Sequence, residues 1–178
     1  MQLNNAPFIE LLNETDPYYF RYTNLESLKT LRDFLKEVVP DEKFDLNHWR
    51  KNIDLQPGQS NADAWAVTSY DLQHECGTVG CILGWAAAID EFRERGLEYN
   101  LNLGDVTFMG SYGTVAGAEF FNIPNYVASS LFIPIAYGFG SNNHNRGETI
   151  TKAHAIERLE VLINHVEKLR EVQNATPE

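Results

Sequence analysis

The chain has 178 residues, 43% hydrophobic and 22% charged, the profile of one folded domain that buries roughly 70% of the surface its unfolded form exposes. Fourteen Lys or Arg against 25 Asp or Glu give a net charge of −11, and between Leu55 and Ile150 ten acidic residues face only Arg93, Arg95 and Arg146. Such a balance repels a phosphate backbone, which argues against direct nucleic-acid binding and for solubility and basic partners.

The N-terminal "MQLNNAPFIELLNETD" carries no basic region of the kind that opens a secretory signal, so a cytoplasmic protein is expected. The first 22 residues read as an irregular arm, pinned to the core by the aromatic cluster Tyr18, Tyr19, Phe20 and Tyr22. The spacing of Leu25, Leu28, Leu31, Leu35 and Val38 predicts a helix over 25–38. Thr23 and Glu26 fit a capping box at its start, and Pro40 stops it. "FDLNHW" (44–49) suits a turn or short helix, and "QPGQSNAD" a loop. A second helix is expected from Thr78 to Arg95, with Gly96 as its C-cap. Its opening run, Val79 to Ile89, is apolar nearly throughout; that makes it central and buried, and is far short of the ~20 residues of a membrane span. "LNLGDVTFMGSYGT" fits two short strands or irregular chain. Helices follow at 114–121 and, opened by Pro124, up to about Phe132. "IAYGFGSNNHNRGET" is a polar loop longer than most connections need. A final helix over 152–171 carries the stripe Ile156, Leu159, Leu162, Ile163, Val166 and Leu169. The fold expected is mainly α, a single compact domain with a buried central helix and a few irregular or short-strand segments. Its limits fall at 23–172, with an arm at 1–22 and a frayed tail at 173–178.

The order "FDLNHW", "CGTVGCILGWAAAI", "AEFFNI", "SSLF.P" and a closing "A.A...L..L" resembles a set of small, largely uncharacterised proteins of bacteriophages and bacteria. They share a Cys-Gly-Thr-x-x-Cys-Ile-x-Gly-Trp core, and the likeness spans Leu28 to His165. This chain departs from the pattern with Gly80 in place of an alanine and with a longer segment between Ile89 and Thr114. The resemblance implies a phage or mobile-element setting and carries over no activity.

Three chemistries compete for "HECGTVGC". Cys76 at a helix N-terminus would favour a thiolate, with His74 as a base, but residues two apart seldom set a base on a nucleophile. His74, Cys76 and Cys81 supply three metal ligands without the second pair that zinc sites use, so no metal and no cofactor is expected. The backbone of Gly77, Thr78 and Gly80 offers N–H groups to a small anionic or nucleotide-like ligand, on which Trp65 or Tyr112 would stack, although P-loop and dinucleotide spacings are missing. The plainest reading is a capped helix start that packs Cys81 and Trp85 in the core. His154 with Glu157 reads as a surface pair and His165 as the edge of the apolar stripe.

A partner surface is expected from acidic Asp90, Glu91 and Glu94 together with Tyr137, His144 and Arg146 of the polar loop. The leading functional expectation is a non-enzymatic binding protein that engages a host defence or regulatory protein. A small-anion module at Cys76–Gly80 and a Cys76-dependent enzyme are the alternatives.

Overall fold

The N-terminal segment is helical rather than an irregular arm. A computed structural model describes residues 4–54, 57–75, 78–137 and 150–175, and in it Ala6–Glu14 forms helix α1 with Pro7 in its first turn, where the missing N–H is not needed. Phe8 and Leu12, one turn apart, are buried in the core. Asp16 then accepts from the Tyr18 N–H at 2.9 Å and opens a 3-10 turn, Pro17–Phe20. Of the aromatic cluster only Phe20 pins the segment, while Tyr18, Tyr19 and Tyr22 are exposed.

Helix α2 (Leu25–Glu37) buries Leu25, Leu28, Leu31 and Leu35 as the spacing requires. Val38 turns outward beyond the last turn, and Val39 takes the buried place. The cap is Asn24, which accepts from the Ser27 N–H at 3.4 Å. Thr23 is instead drawn away, its hydroxyl donating to the Asn122 carbonyl at 3.1 Å. A 3-10 turn at Asp41–Lys43 leads to the bend of "FDLNHW", where Phe44 and Leu46 are buried.

Next come strand β1 (Arg50–Asn52), helix α3 (Asn61–Trp65) and helix α4 (Ser69–His74). The reciprocal bonds of a capping box hold the start of α4: the Thr68 N–H reaches the Asp71 carboxylate at 2.8 Å, and the Asp71 N–H reaches the Thr68 hydroxyl at 3.1 Å.

The helix expected over 78–95 is broken into three pieces. Thr78–Gly80 is strand β2, antiparallel to β1 with Arg50 opposite Gly80 and Asn52 opposite Thr78. Cys81 caps helix α5 (Ile82–Ala86), and helix α6 (Asp90–Glu94) follows after a turn. Residues 79–89 are all buried, as expected, but an unbroken apolar run has no phase from which helix and strand can be told apart. Gly80 and Gly84 decide the matter, because both lie against the backbone carbonyl of Trp49. Gly96, in the left-handed region at φ +92°, ends α6 as a glycine is suited to do.

Strands β3 (Glu98–Asn100), β4 (Asp105–Phe108) and β5 (Ser111–Tyr112) form an antiparallel meander. Met109 and Gly110, both at positive φ, make the two-residue turn that matches the strands' twist. Helices α7 (Gly113–Phe121) and α8 (Asn125–Phe132) pack closely, with Gly117 facing Phe132, and a 3-10 turn, Pro134–Tyr137, ends this stretch.

Helix α9 (Lys152–Ala175) runs past the expected fraying point and lies antiparallel across α2. Leu159, Leu162, Ile163 and Val166 are buried, and the register is marked by Lys29–Glu167 at 2.9 Å, by Lys36–Glu160 and by Lys152–Asp41 at 2.8 Å. The molecule is thus mainly α with short strands, and among the described residues no helix is long and apolar enough to cross a membrane.

One histidine of α9 makes stability depend on pH. His165 meets Phe20 edge-on at 5.2 Å, and among the described residues its buried Nε2 has no hydrogen-bond partner. Burial lowers its pKa, and Lys168 adds to the effect. The unfolded chain, with a histidine pKa of about 6.5, therefore binds the proton first, and this contribution to stability is lost as pH falls from there towards the folded pKa. His165→Leu is expected to flatten that loss, which urea denaturation of both proteins at pH 7.5 and pH 5 will show; equal slopes would count against it.

Candidate functional site

Side chains alternate across β1, so Arg50 points into the protein while Lys51 reaches the surface. Arg50 is 1% exposed. Its Nε donates to the Gly84 carbonyl at 3.0 Å, its Nη1 to the Ser69 hydroxyl at 3.1 Å, and its guanidinium lies 4.7 Å from the centre of the Tyr99 ring. Among the described residues its Nη2 has no hydrogen-bond partner, and the guanidinium makes no ion pair. Burial lowers its pKa to about 10, Tyr99 opposing the shift and Arg93 reinforcing it, which leaves it cationic at neutral pH. Asp71 acts on it electrostatically, but that carboxylate is occupied by the cap of α4.

Arg50 walls a cleft of about 430 Å³ with Ser69, Tyr70, Arg93, Glu98 and Tyr99. Its chemistry is two guanidinium groups, hydroxyl donors and a single carboxylate, a set that suits an oxyanion. A second cleft of about 550 Å³ adjoins it, the two sharing Leu101, and is lined by Asn47, His48, Trp65 and Asn102. There the His48 Nδ1 lies 2.7 Å from the Asp45 carboxylate and the imidazole 5.6 Å from the Trp65 ring. Burial alone would raise the Asp45 pKa; bonds from Asn47 and His48 outweigh it and hold the carboxyl below its ordinary range. Lys51 Nζ lies 5.3 Å from the Trp65 ring centre, within cation–π range. The Tyr99 hydroxyl donates to the Trp65 carbonyl at 3.2 Å, joining the two clefts.

The site expected at residues 76–80 is described only from Thr78 onward. Cys76 and Gly77 lie outside the described residues. Thr78 and Gly80 belong to a strand, not to a helix N-terminus, and Gly80 packs against Trp49 and Leu72. Among the described residues, backbone carbonyls gather beside them. The Thr78 hydroxyl donates to the carbonyls of Asp71 at 3.0 Å and Glu75 at 2.8 Å, and Lys43 Nζ donates to those of Leu72 and Glu75 at 3.0 and 2.9 Å. His74 ends α4 with its ring 4.4 Å from that of Tyr70. Trp65 does line a cleft, whereas Tyr112, 54% exposed on β5, lines neither of the two.

Asp90, Glu91 and Glu94 are exposed on α6, but Arg93 pairs with Asp90 at 3.1 Å and Arg95 approaches Glu91 at 3.9 Å, which dilutes the acidic face. Tyr137 is not a surface residue. It is buried, its hydroxyl donating to the Leu131 carbonyl at 2.8 Å, with the Arg158 guanidinium 3.7 Å from the ring centre. His144 and Arg146 lie outside the described residues. Among the described residues no group of three or more His, Cys, Asp or Glu is placed to hold a metal ion.

Cys81 is a free, fully buried thiol whose pKa burial pushes up to about 12 against the N–H bonds of Gly84 and Leu83. It should stay unmodified by iodoacetamide at pH 8 in the native protein and react fully in urea, as peptide mapping by mass spectrometry will show. Native labelling would contradict its burial.

Sequence reading missed Arg50, Ser69, Arg93 and Tyr99. The available signal was "WRKN", the one adjacent pair of basic residues in an acidic chain. No family model, no curated protein and no solved structure matches this chain.

Proposed function

We propose that this protein acts by binding rather than catalysis, and that its ligand is a small anion held in the cleft walled by Arg50, Ser69 and Arg93. The buried Arg50 guanidinium carries this reading, for it lies in the wall of the cleft and, among the described residues, has no ion-pair partner. Burying a charge without an ion-pair partner opposes folding by several kcal/mol, and an oxyanion in the cleft would offset part of that by supplying a counter-charge. Glu98 at the same cleft favours ligands of low charge or ligands with a hydroxyl for it to accept from.

The test is thermal unfolding with phosphate, sulfate or acetate added at constant ionic strength. At a hundred times its Kd an anion should add about 2.7 kcal/mol to the wild-type protein. It should add nothing to Arg50→Met, which keeps the apolar stem and lacks the charge. No stabilisation by any of the three would sink the reading.

A second reading keeps the host-protein partner, in the phage or mobile-element setting that the motif resemblance implies. The exposure of Asp90, Glu91 and Glu94 on one short helix favours it. Charge reversal at these three positions is expected to abolish capture of a host protein from lysate, and retained capture would count against the acidic face.

A further inference from the structure

We infer that the ligand is a nucleoside monophosphate, its phosphate on Arg50 and Arg93 and its base against Trp65. This rests on the anion-site reading above and narrows it to a class of molecule.

Four observations converge. First, the two clefts are neighbours, with Leu101 in the wall of both. Second, Tyr99 couples them: its ring carries the Arg50 guanidinium at 4.7 Å while its hydroxyl holds the backbone of Trp65 at 3.2 Å. Burial raises the Tyr99 pKa to about 12, so that hydroxyl stays a donor across the physiological range. The aromatic platform and the buried cation are therefore fixed relative to one another by one residue.

Third, the aromatic cleft has the chemistry of a base site. Trp65 remains 36% exposed, with Lys51 Nζ 5.3 Å from its ring centre and His48, oriented by Asp45, 5.6 Å from it. Asn102 in the same wall brings an amide, at once donor and acceptor, which is what the edge of a base asks for. Fourth, Glu98 lies in the wall of the phosphate cleft. A carboxylate is unwelcome beside a bare phosphate but is a natural acceptor for a sugar hydroxyl. Volumes of about 550 and 430 Å³ both lie in the range of small-molecule sites.

The experiment is isothermal titration of the full chain with AMP, UMP, adenosine and inorganic phosphate. At least one nucleotide should bind about tenfold or more tighter than phosphate, as stacking of one base implies, and tighter than adenosine. Trp65→Ala should reduce nucleotide affinity to that of phosphate and leave phosphate binding unchanged, while Trp65→Phe retains most of the gain. Trp65 is partly exposed, so the alanine variant should fold, which circular dichroism checks. Phosphate binding with neither nucleotide tighter would overturn the nucleotide assignment and leave the anion site standing. Equal loss of phosphate and nucleotide binding in a folded Trp65→Ala protein would also overturn it. If neither phosphate nor any nucleotide binds, both readings fall.

Discussion

Gly84→Ala is expected to unfold the protein or to destabilise it by about 3 kcal/mol or more, at or beyond the upper end of ordinary overpacking. A Cβ at Gly84 would stand 1.6 Å from the Trp49 carbonyl oxygen and 2.6 Å from its carbon. These are backbone atoms, and they are held from both sides. The Cys81 N–H donates to the His48 carbonyl at 2.7 Å, and Arg50 Nε donates to the carbonyl of Gly84 itself at 3.0 Å. Relief would require pulling β1 away from β2 and α5, and Arg50 out of its cleft with it. Gly117→Ala is the comparison, because the atoms met there belong to side chains and not to the backbone: Phe132 at 2.8 Å and Leu83 at 3.1 and 3.2 Å. Urea midpoints and m-values of the two variants should separate clearly; a Gly84→Ala protein within about 1 kcal/mol of wild type would refute the close approach.

Arg158→Ala is expected to lose about 3 kcal/mol or more through unsatisfied carbonyls and a cavity. Arg158 is 1% exposed. Its Nη1 donates to the carbonyls of Ser130 and Ala136, each at 2.9 Å, and its Nε reaches the Asn5 side chain at 3.4 Å. The guanidinium also lies over Tyr137 at 3.7 Å and Phe8 at 5.1 Å. One side chain thus ties α9 to the N-cap of α1, to α8 and to the turn before residue 138. Arg158→Met keeps most of the volume without the donors and should fall between wild type and alanine. Urea denaturation ranks the three, and near-ultraviolet circular dichroism should show Tyr137 loosened in the alanine variant. An Arg158→Ala protein as stable as wild type would show that these bonds contribute nothing.

What the sequence made legible follows from where periodicity has a phase. The stripes of α2 and α9 alternate apolar and polar residues at helical spacing, so one face is marked, and those faces are buried against one another. Residues 79–89 have no polar side and hence no mark. Their breaks are set by the approach of Trp49, some thirty residues earlier in the chain, which no local pattern records. The Thr23 cap failed for a similar reason, since a distant acceptor at Asn122 competes for that hydroxyl. Helix α1 was legible and overlooked: Pro7, followed by Phe8 and Leu12 one turn apart, is a helix start. The site divides in the same way. Trp65 stands out by residue type alone, whereas Arg50 becomes notable only once β1 is paired with β2 and the guanidinium is carried inside with, among the described residues, no ion-pair partner.

The antiparallel seating of α9 on α2 also sets an order on assembly. Helix α9 is the last described element to leave the ribosome, yet it covers helices among the first. Until it arrives, α1, α2 and α8 have all been synthesised with part of their apolar surface still bare, including the leucines that α9 will cover. Those faces are covered only once α9 has been made, so completing this part of the core waits on an element that lies far from α1 and α2 in the chain.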